Sequence, residues 1–340
     1  MKILVTGGAG FIGSNFIIYM MEKYPKYEIV NLDKLTYAGN LDNLKSIENN
    51  SKYIFIQGDI CDREIVEKAM QGSDIVVHFA AESHVDKSIA DPMTFLKTNI
   101  LGTATLLEVA KDLNIKRFHH VSTDEVFGSL SLDNLEEKFN EKTPYAPRSP
   151  YSASKASSDH LVRAFIETYN FPATISNCTN NYGPFHFPEK AIPLFIINAL
   201  NDKSLPIYGR GIATRDYLYV TDHCSAIDLI IHKGKVGETY CIGGDSEKNT
   251  IEIADKILEF LNKPKDLKVF IADRKGHDMR YAINHSKITR ELGWHPSVSF
   301  EEGLKKTINW YKENKSWWEK ILLKANIEEN KLKLNNLQKE

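Results

Sequence analysis

The chain opens on Lys2-Ile-Leu-Val-Thr6 and runs directly into Gly7-Gly-Ala-Gly10-Phe-Ile-Gly13. The first five residues read as a short apolar strand, and apolar residues at helical spacing follow the glycines through Met21, so the order is strand, turn, helix. Gly7, Gly10 and Gly13 give a GxxGxxG spacing. Such a turn lets the backbone approach a pyrophosphate and directs the amides of the helix N-terminus at it. Taken alone, the motif is a tight turn that needs no ligand. Its setting says more: residues 28–32 form another apolar strand that ends on Asp33, 20 residues past Gly13. A carboxylate there accepts a ribose 2′-hydroxyl and repels a 2′-phosphate, which favours NAD over NADP. The neighbouring Lys34 pulls the other way.

The alternation continues beyond this unit. Residues 53–57 read as a strand with Asp59 just past its end, residues 74–80 and 118–122 as two more, and residues 94–113 as the helix between those two. A helix from Tyr151 to about residue 169 and a strand over 173–177 extend the pattern. Strand-helix alternation of this kind predicts an α/β fold, a Rossmann-type doubly wound parallel sheet covered on both faces. Past residue 178 the pattern loosens into turn-rich stretches at 180–184, 188–193 and 206–211, with strands over 217–220 and 238–242 separated by a helix. The expected organisation is a dinucleotide-binding domain over 1–178 to which later segments return, a smaller interleaved C-terminal substrate-binding region over 179–323, and a polar tail over 324–340.

Composition narrows the function classes. A chain of 340 residues with 42% hydrophobic content is ordinary for a soluble globular protein with a sizeable core. A formal net charge of −2 argues against a general nucleic-acid binder and for a small-molecule partner. Cys61, Cys178, Cys224 and Cys241 are far apart with no CxxC spacing, so neither a disulfide framework nor a zinc site is expected, and a reducing cytoplasm is the default. His119, His120 and His223 show no ligand spacing, and no metal is proposed. The opening lacks the build of a signal peptide, and no apolar run approaches the ~18 residues of a membrane span.

Two further constellations carry chemistry. Tyr151 and Lys155 are four apart and share a helix face; an ammonium there is expected to lower the phenol pKa and make Tyr151 a usable base. As an isolated pair they are an amphipathic helix with a surface lysine. Ser122-Thr-Asp-Glu-Val-Phe-Gly128 begins where the apolar strand of residues 118–121 ends, at the edge where open α/β sheets bind ligands. It supplies a hydroxyl and two carboxylates, Thr123, Asp124 and Glu125. Two adjacent carboxylates can serve as base and acid only if their pKa values are pushed apart, by burial or mutual repulsion. Otherwise they are a solvated loop pair or a helix cap.

GxxGxxG, Asp33, Asp59-Ile60 and Tyr151-x-x-x-Lys155 stand in the order found in the extended short-chain dehydrogenase/reductase family, which the chain resembles to about residue 312. Within that family, the runs Asp33 to Asn40, Ala80 to Asp86, Thr123-Asp-Glu125, Asn180 to Pro184 and Arg215 to Val220 are similar to those of nucleotide-sugar 4,6-dehydratases. Phe127, Tyr217 and Lys275 depart from the family's tyrosine, tryptophan and proline. The resemblance implies NAD as cofactor, dTDP-glucose as substrate, and transient oxidation at C4. Tyr151 and Thr123 would act at the C4 hydroxyl with Lys155 in support, Glu125 as base at C5 and Asp124 as acid at the C6 hydroxyl.

It also implies a cofactor set of Gly7, Gly10, Phe11, Ile12, Gly13, Asp33, Lys34, Leu35, Thr36, Asp59, Ile60, Phe79, Ala80, Ala81, Glu82, Ser83, Thr98, Tyr151, Lys155 and Asn181. The implied substrate set is Ser83, Thr123, Asn180, Lys190, Ala191, Pro206, Ile207, Tyr208, Arg215, Asp273, Arg274 and His277. Arg215 and Arg274 suit a diphosphate, since a guanidinium forks onto two oxygens; the alternative for either is a surface ion pair. A homodimer through the helices over 94–113 and 151–169 is implied as well. The alternatives are a nucleotide-sugar 4-epimerase, against which Asp124 and Glu125 speak, a dehydratase of CDP- or UDP-sugars, and a non-catalytic NAD-binding regulator. The Trp317-Trp318 pair reads as helix packing.

Overall fold

A computed structural model describes residues 1–273 and 277–324. In chain order its strands are β1 (Lys2–Thr6), β2 (Glu28–Asp33), β3 (Tyr53–Gln57), β4 (Ile75–His78), β5 (Arg117–Thr123), β6 (Ala173–Cys178), β7 (Asn180–Tyr182), β8 (Leu205–Tyr208), β9 (Thr214–Tyr219), β10 (Thr239–Ile242), β11 (Glu247–Asn249), β12 (Lys268–Ile271) and β13 (Arg280–Tyr281). Seven of them form one sheet in the order β10-β6-β5-β4-β1-β2-β3. All its pairings are parallel, as the sequence alternation predicts.

Alternate residues of β1 serve opposite faces. Leu4, Val30, Val76 and Phe118 pack on one side against Val66, Leu106, Leu107 and Val162 from the helices Arg63–Met70, Thr103–Asp112 and Pro150–Tyr169. Ile3, Val5, Ile29 and Val77 pack on the other against Phe16, Ile17 and Met20 of Phe11–Lys23 and Cys224 and Ile227 of Val220–Lys233. Both faces being covered explains why these strands are continuous apolar runs. Strand order reverses at β1, with β2 and β3 on one side and β4 and β5 on the other. That switch point opens a crevice beyond the strands' C-terminal ends.

Two smaller sheets follow, β11-β9-β13 with β7 also paired to β9, and β12-β8. A separate apolar core, including Tyr182, Phe195, Ile257, Leu304, Trp317 and Trp318, joins helices Ala191–Leu200, Thr250–Phe260 and Phe300–Glu313. Both tryptophans are buried in it. Trp317 Nε1 donates to Asn43 Oδ1 at 2.8 Å and Trp318 Nε1 to the Tyr311 carbonyl at 2.9 Å, which ties this core back to the segment after β2.

Several boundaries differ from expectation, and the stretches expected to be turn-rich at 180–184, 188–193 and 206–211 hold β7, the start of helix Ala191–Leu200 and the end of β8. The helix expected over 94–113 starts at Pro92, and its Leu96–Gly102 portion is a widened π turn. That turn seats the buried Asn99, whose amide holds the Glu82 N–H (2.9 Å), the Glu82 carbonyl (3.0 Å) and Ser154 Oγ (2.8 Å). β4 ends at His78 because Phe79–Ala81 leave the sheet to line the crevice. Val220 opens a helix rather than closing β9. Among the described residues no helix is long and apolar enough to cross a membrane.

Candidate active site

A cavity of about 370 Å³ lies beyond the C-terminal ends of β1, β2, β4, β5 and β6, within the size range of small-molecule sites. At one end is the glycine turn. Gly7 has φ +71°, and a Cβ there would meet the Ala80 nitrogen at 2.6 Å; a Cβ on Gly13 would meet the Gly7 carbonyl oxygen at 2.3 Å. Neither position admits a side chain, so the turn packs backbone against backbone. No side chain caps the helix that starts at Phe11, and its first-turn amides keep their donors for an anion.

Asp33 closes β2 at the same end. It is buried, which raises its pKa, and it accepts from Leu35 N at 2.8 Å and Ala9 N at 2.9 Å. Each oxygen retains a lone pair for a ribose hydroxyl. Lys34, the cation that could have favoured a 2′-phosphate, donates to Asp59 Oδ2 at 2.8 Å. The turn, the open amides and the acidic strand end together fit a dinucleotide without a 2′-phosphate. The cavity lining includes Gly7, Gly10, Phe11, Ile12, Gly13, Asp33, Lys34, Thr36, Asp59, Ile60, Phe79, Ala80, Ala81, Ser83, Thr98, Tyr151, Lys155 and Asn181. Of the cofactor set only Leu35 lies outside it.

At the other end, Thr123 is the last residue of β5 and Asp124–Phe127 form a single 3₁₀ turn. The Thr123 hydroxyl accepts from Glu125 N and donates to Asp124 Oδ1, both at 3.2 Å. Asp124 is 2% exposed. Burial, reinforced by the negative charge of Glu125, pushes its carboxyl up to about 8, so at neutral pH it carries a proton. Glu125 lines the same cavity.

Helix Pro150–Tyr169 starts with a capping box in which the Ser149 and Ser152 side chains satisfy each other's backbone N–H, and Pro150 presets the first turn. That start fixes Tyr151 at the cavity, with Lys155 one turn on. Lys155 Nζ donates to the Val121 carbonyl at 2.9 Å. The expected lowering of the Tyr151 phenol is corrected here. Burial, then the negative charge of Glu125, holds it well above its ordinary value, and Lys155 is itself lowered by burial.

Of the substrate set, Ser83, Thr123, Asn180, Lys190 and Ala191 line the cavity, whereas Pro206, Ile207, Tyr208, Arg215, Asp273 and His277 do not. Pro206, Ile207 and Tyr208 belong to β8, and Asp273 packs against Gly209 just after it. His277 Nδ1 lies 2.8 Å from Asp273 Oδ1. Arg215, on β9, donates to the Asp278 carbonyl at 2.9 Å, with its guanidinium 4.2 Å from the Tyr281 ring centre. Arg274 lies outside the described residues.

Tyr37, His186, Glu189 and Tyr217, to which the sequence assigns no role, also line the cavity, as does Glu82. Lys87 Nζ sits 3.2 Å from the centre of the Tyr37 ring and 3.3 Å from Glu189 Oε2, so the segments after β2 and β7 meet at the cavity wall. No local pattern links residues so far apart.

A glycine turn, an acidic second-strand end and a tyrosine–lysine helix around one crevice define a dinucleotide-dependent enzyme of the extended short-chain dehydrogenase/reductase type. Residues 4–307 match the sequence model of the family described as GDP-mannose 4,6 dehydratase, and the chain belongs to that family. It is 50% identical over 343 residues to the dTDP-glucose 4,6-dehydratase of Neisseria meningitidis serogroup B, an alignment covering 94% of this chain and 96% of that one. Among solved structures it resembles the dTDP-glucose 4,6-dehydratase of Bacillus anthracis in complex with NAD (TM-score 0.88, 48% identity, 94% and 99% of the two chains). It also resembles the dTDP-glucose 4,6-dehydratase of Streptomyces venezuelae with NAD bound (TM-score 0.91, 46% identity, 94% and 100%).

Proposed function

We propose that this protein is an NAD-dependent lyase that converts dTDP-glucose to dTDP-4-keto-6-deoxyglucose by oxidation at C4, loss of water across C5 and C6, and reduction at C6. The observation that carries the reading is a carboxyl held protonated at neutral pH, Asp124, next to Glu125 in the cavity that Tyr151 lines. An epimerase needs no acid for a leaving hydroxyl.

Bound NAD would supply the redox chemistry, as hydride acceptor for C4 and hydride donor for C6. Gly7, Gly10, Gly13 and the first-turn amides would hold its pyrophosphate and Asp33 a ribose. Tyr151 takes the C4 hydroxyl proton, with Thr123 orienting that hydroxyl and Lys155 supplying the positive charge that makes a buried phenol a base. The C4 ketone acidifies the C5 hydrogen, which Glu125 removes; the same carboxyl, after exchange with solvent, gives a proton back to C5 as C6 is reduced. Asp124 gives its proton to the departing C6 hydroxyl, a poor leaving group until protonated. Arg215, Arg274, Pro206 to Tyr208, Asp273 and His277 are assigned to the nucleotide end.

The chain is further proposed to act as a cytoplasmic homodimer, in keeping with four unpaired cysteines. Ile89, Met93 and Leu101, 52%, 68% and 60% exposed along the helical run before β5, support a dimer face there. Residues 1–178 with returning segments form the cofactor domain, 179–323 the substrate region and 324–340 the tail.

The test is turnover of dTDP-, CDP- and UDP-glucose side by side. A C4 deuterium should reach C6 of the product, and solvent deuterium should enter at C5. Return of the label to C4 with inverted configuration and no loss of water would make the chain an epimerase.

A further inference from the structure

Behind Tyr151 lies a polar compartment that the proposed reaction does not use. Its centre is Asp159, one helical turn beyond Lys155 and fully buried. Asp159 Oδ2 accepts from Tyr145 at 2.7 Å, Ser122 Oγ at 2.9 Å and Asn177 Nδ2 at 3.3 Å; these come from the segment before the helix, from β5 and from β6. Three donors from three elements favour the ionised carboxylate. A buried negative charge of this kind requires a positive neighbour.

His120 does not supply that charge. Its Nε2 lies 3.1 Å from Asp159 Oδ1, yet burial pushes the imidazole down to about 4, and among the described residues Nδ1 finds no hydrogen-bond partner. His78, on β4 beside His120, is likewise lowered by burial. Arg163 reaches the compartment only through the Tyr145 hydroxyl, to which it donates at 2.9 Å. On the β6 side the Cys178 thiol is pushed up to about 12 by burial and carries no charge at neutral pH. The remaining cation is Lys155, at i−4 on the same helix, where side chains are neighbours. Its hydrogen bond runs to the neutral Val121 carbonyl. Burial lowers the Lys155 pKa, and the first influence opposing this is the charge of Asp159.

We propose that Asp159 is a positioning residue for the reaction: its buried carboxylate holds Lys155 in the ammonium form and so keeps Tyr151 able to take the C4 hydroxyl proton. This rests on the assignment of Tyr151 and Lys155 above. The Glu125 carboxylate faces Tyr151 from the turn after β5 and opposes its ionisation, so a lysine that lost its proton would leave the phenol without local positive support.

The experiment follows the ¹⁵N signal of the Lys155 amine against pH, assigned by its loss in Lys155→Arg, together with the pH profile of single-turnover NAD reduction. In Asp159→Asn the ammonium should give way to the neutral amine about 1–3 pH units lower than in wild type. The alkaline limb of NAD reduction should move down with it, while nucleotide-sugar affinity stays within a few-fold. In Lys155→Arg that limb should be absent, and adding Asp159→Asn should not restore it. An Asp159→Asn protein with the wild-type amine titration and a rate scaled equally at every pH overturns the proposal. Should Asp159→Asn not fold, Tyr145→Phe removes a donor and leaves the charge, so its limb should stay or move up; a shift to lower pH overturns the proposal too. Tyr151→Phe separates the two readings. If it still reduces NAD, the assignment of the base fails; if it does not and Asp159→Asn titrates as wild type, only the role of Asp159 fails.

Discussion

Asp124→Asn tests the acid assignment on two independent scales. With its carboxyl raised to about 8 by burial and the charge of Glu125, Asp124 holds its proton at neutral pH, where an ordinary aspartate is ionised. The asparagine cannot give up a proton, so elimination should slow by about 10²–10⁴. Hydride departure from C4 does not need it. Mixing with substrate should therefore build up reduced cofactor, seen as absorbance at the wild-type rate, while 4-keto-6-deoxy product lags.

The second scale is stability. A carboxyl raised from 3.8 to about 8 contributes stability that is fully present below pH 3.8 and is lost as pH rises through 8, because over that window the unfolded chain releases a proton that the native state keeps. At about 1.4 kcal/mol per unit, the cost at pH 8 is on the order of 5 kcal/mol. Asp124→Asn removes it and should unfold at higher denaturant than wild type at pH 8, with the difference shrinking toward pH 4. Activity lost and stability gained is the mark of a residue held in a strained ionisation state for chemistry. An Asp124→Asn protein that forms product at the wild-type rate, or that is no more stable than wild type at pH 8, would refute the reasoning.

Tyr151→Phe should nearly abolish single-turnover reduction of bound NAD and leave nucleotide-sugar affinity within a few-fold, since only a proton acceptor is lost; reduction at the wild-type rate would show another base. Glu125→Gln should still reduce NAD with substrate, yet incorporate solvent deuterium at C5 far more slowly, as mass spectrometry of recovered sugar would show. Asp33, whose charge repels a 2′-phosphate, should make NADP a poor substitute once bound cofactor is removed; equal turnover with NADP would contradict this. His232 is raised chiefly by its hydrogen bond with Asp228, 2.8 Å away. Its contribution is therefore present below pH 6.5 and lost as pH rises through the raised value. His232→Gln should cost up to about 1 kcal/mol at pH 6 and less at pH 8 in denaturant titrations.

Much of this protein was legible in the order of its residues. GxxGxxG, Asp33 and alternating apolar segments predicted the parallel sheet because strand and helix periods and glycine turns are local properties. The place of Thr123 to Glu125 just past an apolar run, and the four-residue step from Tyr151 to Lys155, pointed to the crevice for the same reason. Tertiary packing decided what those groups are chemically. Asp124 and Glu125 are adjacent in the chain, and nothing local says that Asp124 is the buried, protonated one; that follows from its 2% exposure and from how the 3₁₀ turn is held. The Tyr151 phenol is raised rather than lowered by the desolvation around the pair Tyr151–Lys155; the pair is visible in sequence and the desolvation is not. Tyr37 with Glu189, and Ser122, Tyr145 and Asn177 around Asp159, meet only when separate strands and loops are brought together. Burial and charge proximity are sums over the whole fold, so sequence by itself determined which groups are present at the crevice, and the tertiary structure decided which of them carry protons.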